Sequence, residues 1–454
     1  MMSNQNSQYL FHSLEKSKKN KILFISGSST FDIDSLIEER KKLLPYISFL
    51  SKKNVALIFR ENINLVRYLI LLDGIASSII IIPIEISEKI KNELLKKSDA
   101  QFIFYDDAKL NFDIESHNIN NCLKKRNDIQ INYLKSKWLI TTSGTTGSPK
   151  LVIHDLKSLT ISTKINDQNA IWGLLYRLEK FAGLQVFLQS YLSNSCLIIP
   201  QSNESLDKSV EKFNENYITH LSGTPSLWRK LLMLKKVELN NLKNITLGGE
   251  TVKENILSAL KKKFPKAKIR HIYASSEAGV GFSVTDGLAG FPRSYIEGSY
   301  KNLKMKISKT STLLIKSNSN AKDYYGDDKI KIEDGYIDTG DLIEIKKNRC
   351  YFIGRENGSI NVGGNKIFPE ALEEFLENYP NVKMAKITPR KSSIMGNLLE
   401  ATLIISRGVL DEKKFISELR EHCRKNLNKE MIPSFFYIKD SIELSSSGKL
   451  KRNE

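Results

Sequence analysis

The sequence predicts an α/β protein, with a large N-terminal part of mostly parallel sheets and flanking helices and a small C-terminal α+β part. Three observations carry this. Between residues 54 and 248, short apolar runs alternate with segments of helical length. That alternation is how a mostly parallel sheet is built, each strand returning through a helix. From residue 312 the strands shorten and turns dominate. From residue 355 the pattern changes again, to a compact mixture of two helices and two strands.

In order, residues 55–59 read as a strand, 65–72 as a helix and 78–82 as a strand, with 101–105 as a further short strand. Residues 138–140 and 151–153 read as strands flanking a loop. Residues 195–200, 219–224 and 245–248 read as buried strands with helices between them. After a loop at 355–364 come a helix at 369–378, strands at 383–388 and 398–405, a helix at 412–426 and a polar tail. The expected domains are 1–354 and 355–454. The first fifty residues add no usable pattern, and no internal repeat is visible.

Composition narrows the class. At 454 residues, with 41% hydrophobic and 26% charged residues, the chain matches a globular protein of two or three domains. The start is polar and lacks the apolar stretch of a signal peptide. The most apolar span, 69–86, is broken by Asp73, Gly74, Ser77, Ser78 and Pro83, which argues against a membrane span. Cys122, Cys196, Cys350 and Cys423 have no metal-like spacing, so reduced thiols and a cytoplasmic location are expected. The net charge is +18. Its basic residues are spread along the chain without an arginine-rich block, which argues against nucleic acid. Anionic ligands or an acidic protein partner fit that charge better.

The densest concentration of chemistry is the run 141–150, Thr-Thr-Ser-Gly-Thr-Thr-Gly-Ser-Pro-Lys, in which eight of ten residues are glycine or carry a hydroxyl. Between two strands, such a loop can turn backbone N–H groups and hydroxyls toward one point and hold phosphate. It fails the Walker A spacing and opens no helix. By composition alone it would be a hairpin turn. The order Ser-Gly-Thr-Thr-Gly-x-Pro-Lys, however, resembles the phosphate loop of the adenylate-forming superfamily. That superfamily comprises acyl- and aryl-CoA synthetases, nonribosomal peptide adenylation domains and beetle luciferases. The resemblance implies nucleotide contacts from Thr142, Ser143, Gly144, Thr145, Thr146, Gly147 and Lys150. It also implies a β-barrel-like subdomain within the large N-terminal domain.

Further boxes follow in the superfamily's order, from about residue 54 to the end. The run 244–250 ends a strand in Gly248, Gly249 and Glu250, where a flat adenine or an acyl group can pass close to backbone. The run 271–279, His-Ile-Tyr-Ala-Ser-Ser-Glu-Ala-Gly, resembles the family's Tyr-Gly-x-Thr-Glu box. By that resemblance Tyr273 stacks near the adenine, Ser276 touches the α-phosphate and Glu277 helps hold Mg²⁺. Carboxylate oxygen suits that hard cation. Ala274 and Ser276 stand where glycine and threonine are usual. The run 335–342 resembles the box ending in Thr-Gly-Asp, and its Asp341 would accept hydrogen bonds from both ribose hydroxyls.

The run 354–367 resembles the hinge box. Arg355 would contact ribose or phosphate, and Asn357 stands where an Asp usually serves as the pivot of domain rotation. Lys366 and Ala371 also depart from the family pattern. Gly363 and Gly364 would face the incoming thiol. The run 444–452 resembles the C-terminal box, with Lys449 as the catalytic lysine.

The implied activity has two halves. A carboxylate attacks the α-phosphate of Mg·ATP to give acyl-AMP and pyrophosphate. A thiol, on CoA or on the phosphopantetheine arm of a carrier protein, then takes the acyl group. The implied acid pocket includes Lys180, Phe181, His220, Ser222, Gly223, Gly248 and Ala274. Adenylation domains for amino acids place an Asp where Lys180 stands, and a lysine repels an ammonium. An aryl or short-to-medium acyl acid is therefore expected, although Glu179 lies one register away. A catalytically degenerate nucleotide-binding protein is the opposing class.

Overall fold

The computed structural model describes residues 9–15, 20–121, 133–142, 149–164, 168–298, 300–301, 303–326, 329–392, 396–445 and 448–451. Residues 143–148 of the expected phosphate loop, and Cys122, lie outside them.

Two sheets form the base of the large part. The first runs, edge to edge, through Gly279–Val284, Lys268–Ser275, Asn244–Gly248, His220–Gly223, Ile171–Leu174, Cys196–Ile198, Ile22–Ser26 and Ser29–Asp32. Its interior pairs are parallel and its two outermost pairs antiparallel. The second runs through Asp323–Tyr324, Lys150–Asp155, Lys137–Thr142, Ser78–Ile81, Asn54–Ile58, Phe102–Tyr105 and Ser116–Asn118. It is parallel except at the pairs involving Lys150–Asp155. Strands covered on both faces read as continuous apolar runs. Ser78–Ile81 is buried at every position, and Trp138, Leu139 and Ile140 are fully buried. Helix Asn62–Leu72 is buried at eight positions, packed between helix Leu10–Glu15 and the strand Asn54–Ile58.

A third, antiparallel sheet stands where the barrel-like subdomain is expected. Its order is Phe291–Pro292, Arg349–Arg355, Tyr336–Lys346, Thr312–Lys316 and Lys304–Ile307. A one-turn 3₁₀ helix, Glu356–Gly358, leads out of it. The chain then forms the hairpin Ile360–Val362 and Asn365–Ile367, helix Pro369–Glu377, strands Val382–Ser392 and Gly396–Ile405, helix Glu412–Asn426 and strand Phe435–Ile438. These elements share their own core around Leu372, Leu376, Ala385, Leu403 and Leu419.

Two sequence readings need correction. The first fifty residues do contribute: Ile22–Ser26 pairs parallel with Cys196–Ile198 and extends the first sheet. Helix Ile33–Ile47 follows, with only Ile33, Leu36 and Ile47 buried and with Pro45 inside it, so its periodicity is faint. The C-terminal tail is not merely polar. Phe435–Ile438 joins the small sheet in parallel, and Leu444 bridges Leu450. Among the described residues, no helix is long and apolar enough to cross a membrane.

Candidate active site

In parallel sheets, ligands gather where strands end at their carboxyl side. Four strand ends of the first sheet meet along one edge. Ile171–Leu174 leads to Tyr176 and Lys180. His220–Gly223 leads to Thr224, Asn244–Gly248 to Gly249 and Glu250, and Lys268–Ser275 to Ser276 and Glu277. The hydroxyl of Tyr176 donates to the Gly248 carbonyl at 3.3 Å, which ties two of these ends together.

The second sheet brings the phosphate-loop hairpin to the same edge. Thr142 and Lys150 are direct cross-strand partners, so the register closes the loop between them. The Lys150 ammonium lies 4.8 Å from the centre of the Tyr324 ring, and the Tyr324 hydroxyl donates to Glu277 Oε1 at 3.0 Å. Tyr324 thus links the loop's lysine to the carboxylate. His154, fully buried on the hairpin's second strand, bonds the Ser276 carbonyl through Nε2 at 2.7 Å and Ser158 through Nδ1 at 3.0 Å. Its burial lowers its pKa, so the neutral ring is favoured and Nε2–H donates to the carbonyl.

The third sheet adds a polar corner. Asp341 and Arg355 are register partners on adjacent antiparallel strands. Arg355 Nε donates to Asp341 Oδ1 at 2.8 Å, and the Tyr273 hydroxyl donates to Oδ2 at 2.5 Å. Asp341 raises the Arg355 pKa further, and burial together with Asp341 pushes the Tyr273 phenol well above its ordinary value. The Tyr273 ring stacks on Phe352 at 5.0 Å and on Phe282 at 5.4 Å.

The small part contributes Lys449. Its Cε would lie 3.3 Å from a Cβ placed on Gly249, which has φ +84. Any side chain at Gly249 would therefore crowd the lysine as well as strain the backbone. The turn carrying Lys449 is held on both sides. Thr224 Oγ1 donates to the Gly448 carbonyl, and Leu450 N donates to Glu250 Oε1 at 3.0 Å. The surrounding protein and the nearby Arg355 charge lower the Lys449 pKa, countered by Glu250, Asp341 and Glu277, while part of the side chain stays open to solvent. One cleft therefore gathers Lys449, Glu250, Glu277, Asp341 and Arg355.

Residues 76–321, more than half of the chain, match the family model described as AMP-binding enzyme. The chain belongs to the AMP-binding enzyme family. It is 24% identical over 356 residues to gramicidin S synthase 2 of Brevibacillus brevis, a match covering 69% of this chain but only 8% of that protein. It is 24% identical over 345 residues to 2-succinylbenzoate–CoA ligase of Bacillus subtilis, covering 70% of this chain and 68% of the ligase. Among solved structures, it overlays on o-succinylbenzoate CoA synthetase from Bacillus subtilis, bound to its acyl-adenylate, with a TM-score of 0.76 at 18% identity, covering 97% and 96% of the two chains. The anthranilate CoA ligase AuaEII bound to anthranoyl-AMP gives a TM-score of 0.83 at 15% identity, covering 97% and 95%. At those identities the overlays establish the fold.

Not every residue expected in this AMP-binding cleft reaches it. His220 is a correction. It opens its strand, whereas the cleft lies at the strand's other end, about 10 Å away at roughly 3.3 Å per residue. There His220 stacks on Trp172 at 4.4 Å and bonds Asn244 at 2.9 Å. Ser222 and Gly223 do end the strand next to Thr224. Ala274, at a register shift in its strand, packs against the core that includes Phe181. Lys180 caps helix Phe181–Leu192, where burial lowers its pKa, and Phe181 lies 5.6 Å from His154. Asn357 sits in the exposed 3₁₀ turn after Arg355. Gly363 and Gly364 have φ +55 and +90, the two positive values that a two-residue hairpin turn requires. Sequence reading did not find Tyr176, Tyr324, Thr224 or His154. Their contacts with residues far away in the chain are what reveal them.

Proposed function

We propose that the chain activates a carboxylic acid with ATP, forming acyl-AMP and pyrophosphate, and then transfers the acyl group to the thiol of CoA. The observation that carries this reading is the position of Lys449. The small part delivers it over Gly249, within electrostatic reach of Glu277, Asp341 and Arg355.

In this reading the ribose exchanges its hydroxyls for the contacts that Tyr273 and Arg355 now make to Asp341. The triphosphate lies along the loop spanning Thr142 and Lys150. Among the described residues, no three or more His, Cys, Asp or Glu side chains are grouped so as to hold a metal ion by themselves. A single carboxylate, Glu277, suits Mg²⁺ that arrives with ATP and keeps water and phosphate oxygens as its other ligands. Mg²⁺ there would neutralise phosphate charge.

Lys449 would place its ammonium between the attacking carboxylate and the α-phosphate, where negative charge concentrates. Catalysis of this kind rests on positioning and charge stabilisation. For the second step the small part would turn about Asn357, removing Lys449 and bringing the Gly363–Gly364 turn toward the thiol. This makes 1–354 and 355–454 the two moving bodies.

The acid we favour is aryl or short-to-medium acyl. Glu179 is buried and accepts from Arg177 Nε at 3.0 Å, and Arg177 in turn pairs with Glu85 at 2.6 Å, so Glu179 is committed elsewhere. Lys180 disfavours an ammonium. The relatives named for 2-succinylbenzoate and anthranilate agree with an aryl acid. A carrier-bound phosphopantetheine is the second acceptor reading, favoured by the net charge of +18 and the peptide-synthase relatives.

Acid-dependent exchange of labelled pyrophosphate into ATP, across aryl, aliphatic, dicarboxylic and amino acids, tests the reading. Exchange with one aryl or short acyl class is the expected result. No exchange in protein that binds ATP would leave a degenerate nucleotide binder.

A further inference from the structure

The contact between the large and small parts contains a buried ion cluster with no direct role in the cleft. Glu377 ends helix Pro369–Glu377, and its side chain is 4% exposed. Arg229 Nη1 pairs with its Oε1, and Lys253 Nζ lies 3.4 Å from its Oε2. Lys253 also donates to the Glu370 carbonyl at 3.1 Å, and Arg229 Nη2 to Asn255 at 2.9 Å. Both cations come from the large part. Arg229 lies on helix Pro225–Met233, and Lys253 caps helix Glu254–Lys263.

Each end of this pair is misplaced within its own helix. An acid at a helix C-terminus and a base at a helix N-terminus both oppose the helix dipole. Only the docked arrangement brings the two wrong-sign ends together, where each supplies what the other lacks. Burial disfavours the Glu377 charge, yet Lys253 and Arg229 hold the group below its usual range. The same helix Pro225–Met233 carries the rest of the seam. Thr224, its cap, bonds the Gly448 carbonyl, Leu227 lies under Gly448, and Met233 packs with Ile442, Leu444 and Leu450.

We infer that Glu377 is a conformational latch, a positioning residue clasped by Arg229 and Lys253 that holds Lys449 in the cleft for the first half-reaction. It must be released before the small part can turn. The inference rests on the proposed function for its catalytic consequence, but the clasp itself is a property of the fold. Breaking it takes a buried carboxylate from two cations, and a coupling of this kind typically shifts an equilibrium by about five- to 150-fold.

The test uses the full chain with Glu377→Gln, which keeps an oxygen for the Ala385 N–H now bonded to Glu377 Oε1 at 3.2 Å. Lys253→Met serves as a second variant should the first fold poorly. Two readouts are taken. One is tryptic cleavage at the exposed Lys366, in the hairpin that follows the turn at Asn357, without ligand. The other is the rate of each half-reaction, by pyrophosphate exchange with the acid that the panel selects and by thioester formation from the matching synthetic acyl-adenylate and CoA. The latch predicts faster cleavage, exchange lower by about tenfold or more, and unchanged or faster thioester formation. Equal loss of both half-reactions, or unchanged cleavage in both variants, overturns it. If the wild type exchanges pyrophosphate with no acid, the functional reading fails and the cleavage result alone decides the latch.

Discussion

The cleft has two polar corners built on different terms. At the Asp341 corner, every partner is fixed by a sheet. Asp341 and Arg355 face each other by strand register, and Tyr273 is wedged by stacking on Phe352 and Phe282. At the Lys449 corner, among the described residues, no ladder joins the two sides. A threonine hydroxyl, one backbone N–H to Glu250 and a few apolar contacts hold the turn. In the proposed function the first corner stays in place and the second is reversible. That asymmetry is what a site needs if one half stays with the nucleotide while the other leaves between two reactions.

The sharpest way to break the comparison is to delete the reversible corner's charge. Lys449→Ala should lower acid-dependent pyrophosphate exchange by about 10²–10³, the usual cost of losing one preorganised donor. Thioester formation from pre-made acyl-adenylate should survive. Equal loss of both would mean that Lys449 serves the fold or both steps alike.

The permanent corner should answer differently. In Asp341→Asn the amide keeps one oxygen and turns an N–H toward either Arg355 or Tyr273. Hydrogen bonds to charged groups are worth about 1.5–3 kcal/mol, so the KM for ATP in exchange should rise roughly ten- to a hundredfold. The backbone pairing of residues 341 and 355 does not depend on the side chain, so folding should persist. An unchanged KM for ATP would remove Asp341 from the nucleotide site.

These corners were unequally legible in the sequence. Asp341, Glu277 and Lys449 stand in runs that resemble the ordered boxes of a known superfamily, so a linear reading singles them out by that resemblance. On residue type alone they would read as a turn aspartate, an ordinary glutamate and a solvated tail lysine. Tyr324 and Thr224 act through partners 47 and 224 residues away, and no local pattern encodes such pairings. His220 misled for the opposite reason. It neighbours Ser222 and Gly223 in the chain, but an extended strand carries neighbours apart, and three residues sufficed to place it at the wrong end. The parallel strands were legible because burial on both faces forces continuous apolar runs. Helix Ile33–Ile47 was not, since only three of its residues are buried.

A milder change probes how the reversible corner is held. Thr224→Val keeps the shape but removes both the bond to Gly448 and the cap to Leu227 N at 3.0 Å. Losing such a cap costs about 1 kcal/mol. Exchange should fall about five- to tenfold, with thioester formation spared and Thr224→Ser restoring both. If Ser fails to restore exchange, the hydroxyl is not what holds the turn.

The smallest effect on chemistry should come from far outside both corners. Asp73 is buried, accepts from Leu10 N at 2.9 Å and from Trp138 Nε1 at 3.0 Å, and has its pKa pushed up to about 6 from 3.8 by burial. Its protonated form is favoured in the folded state. The stability it supplies is therefore fully present below about pH 4 and is lost as pH rises through about 6, a change of about 3 kcal/mol. Asp73→Asn removes that titration and puts an amide N–H against one of the two donors. The gap in thermal midpoint between wild type and variant should shift between pH 4 and 7 and stay flat above. Pyrophosphate exchange at neutral pH should be unchanged at temperatures well below the midpoint. A gap independent of pH would show that Asp73 remains charged throughout, and a loss of exchange would show that this remote carboxylate reaches the cleft.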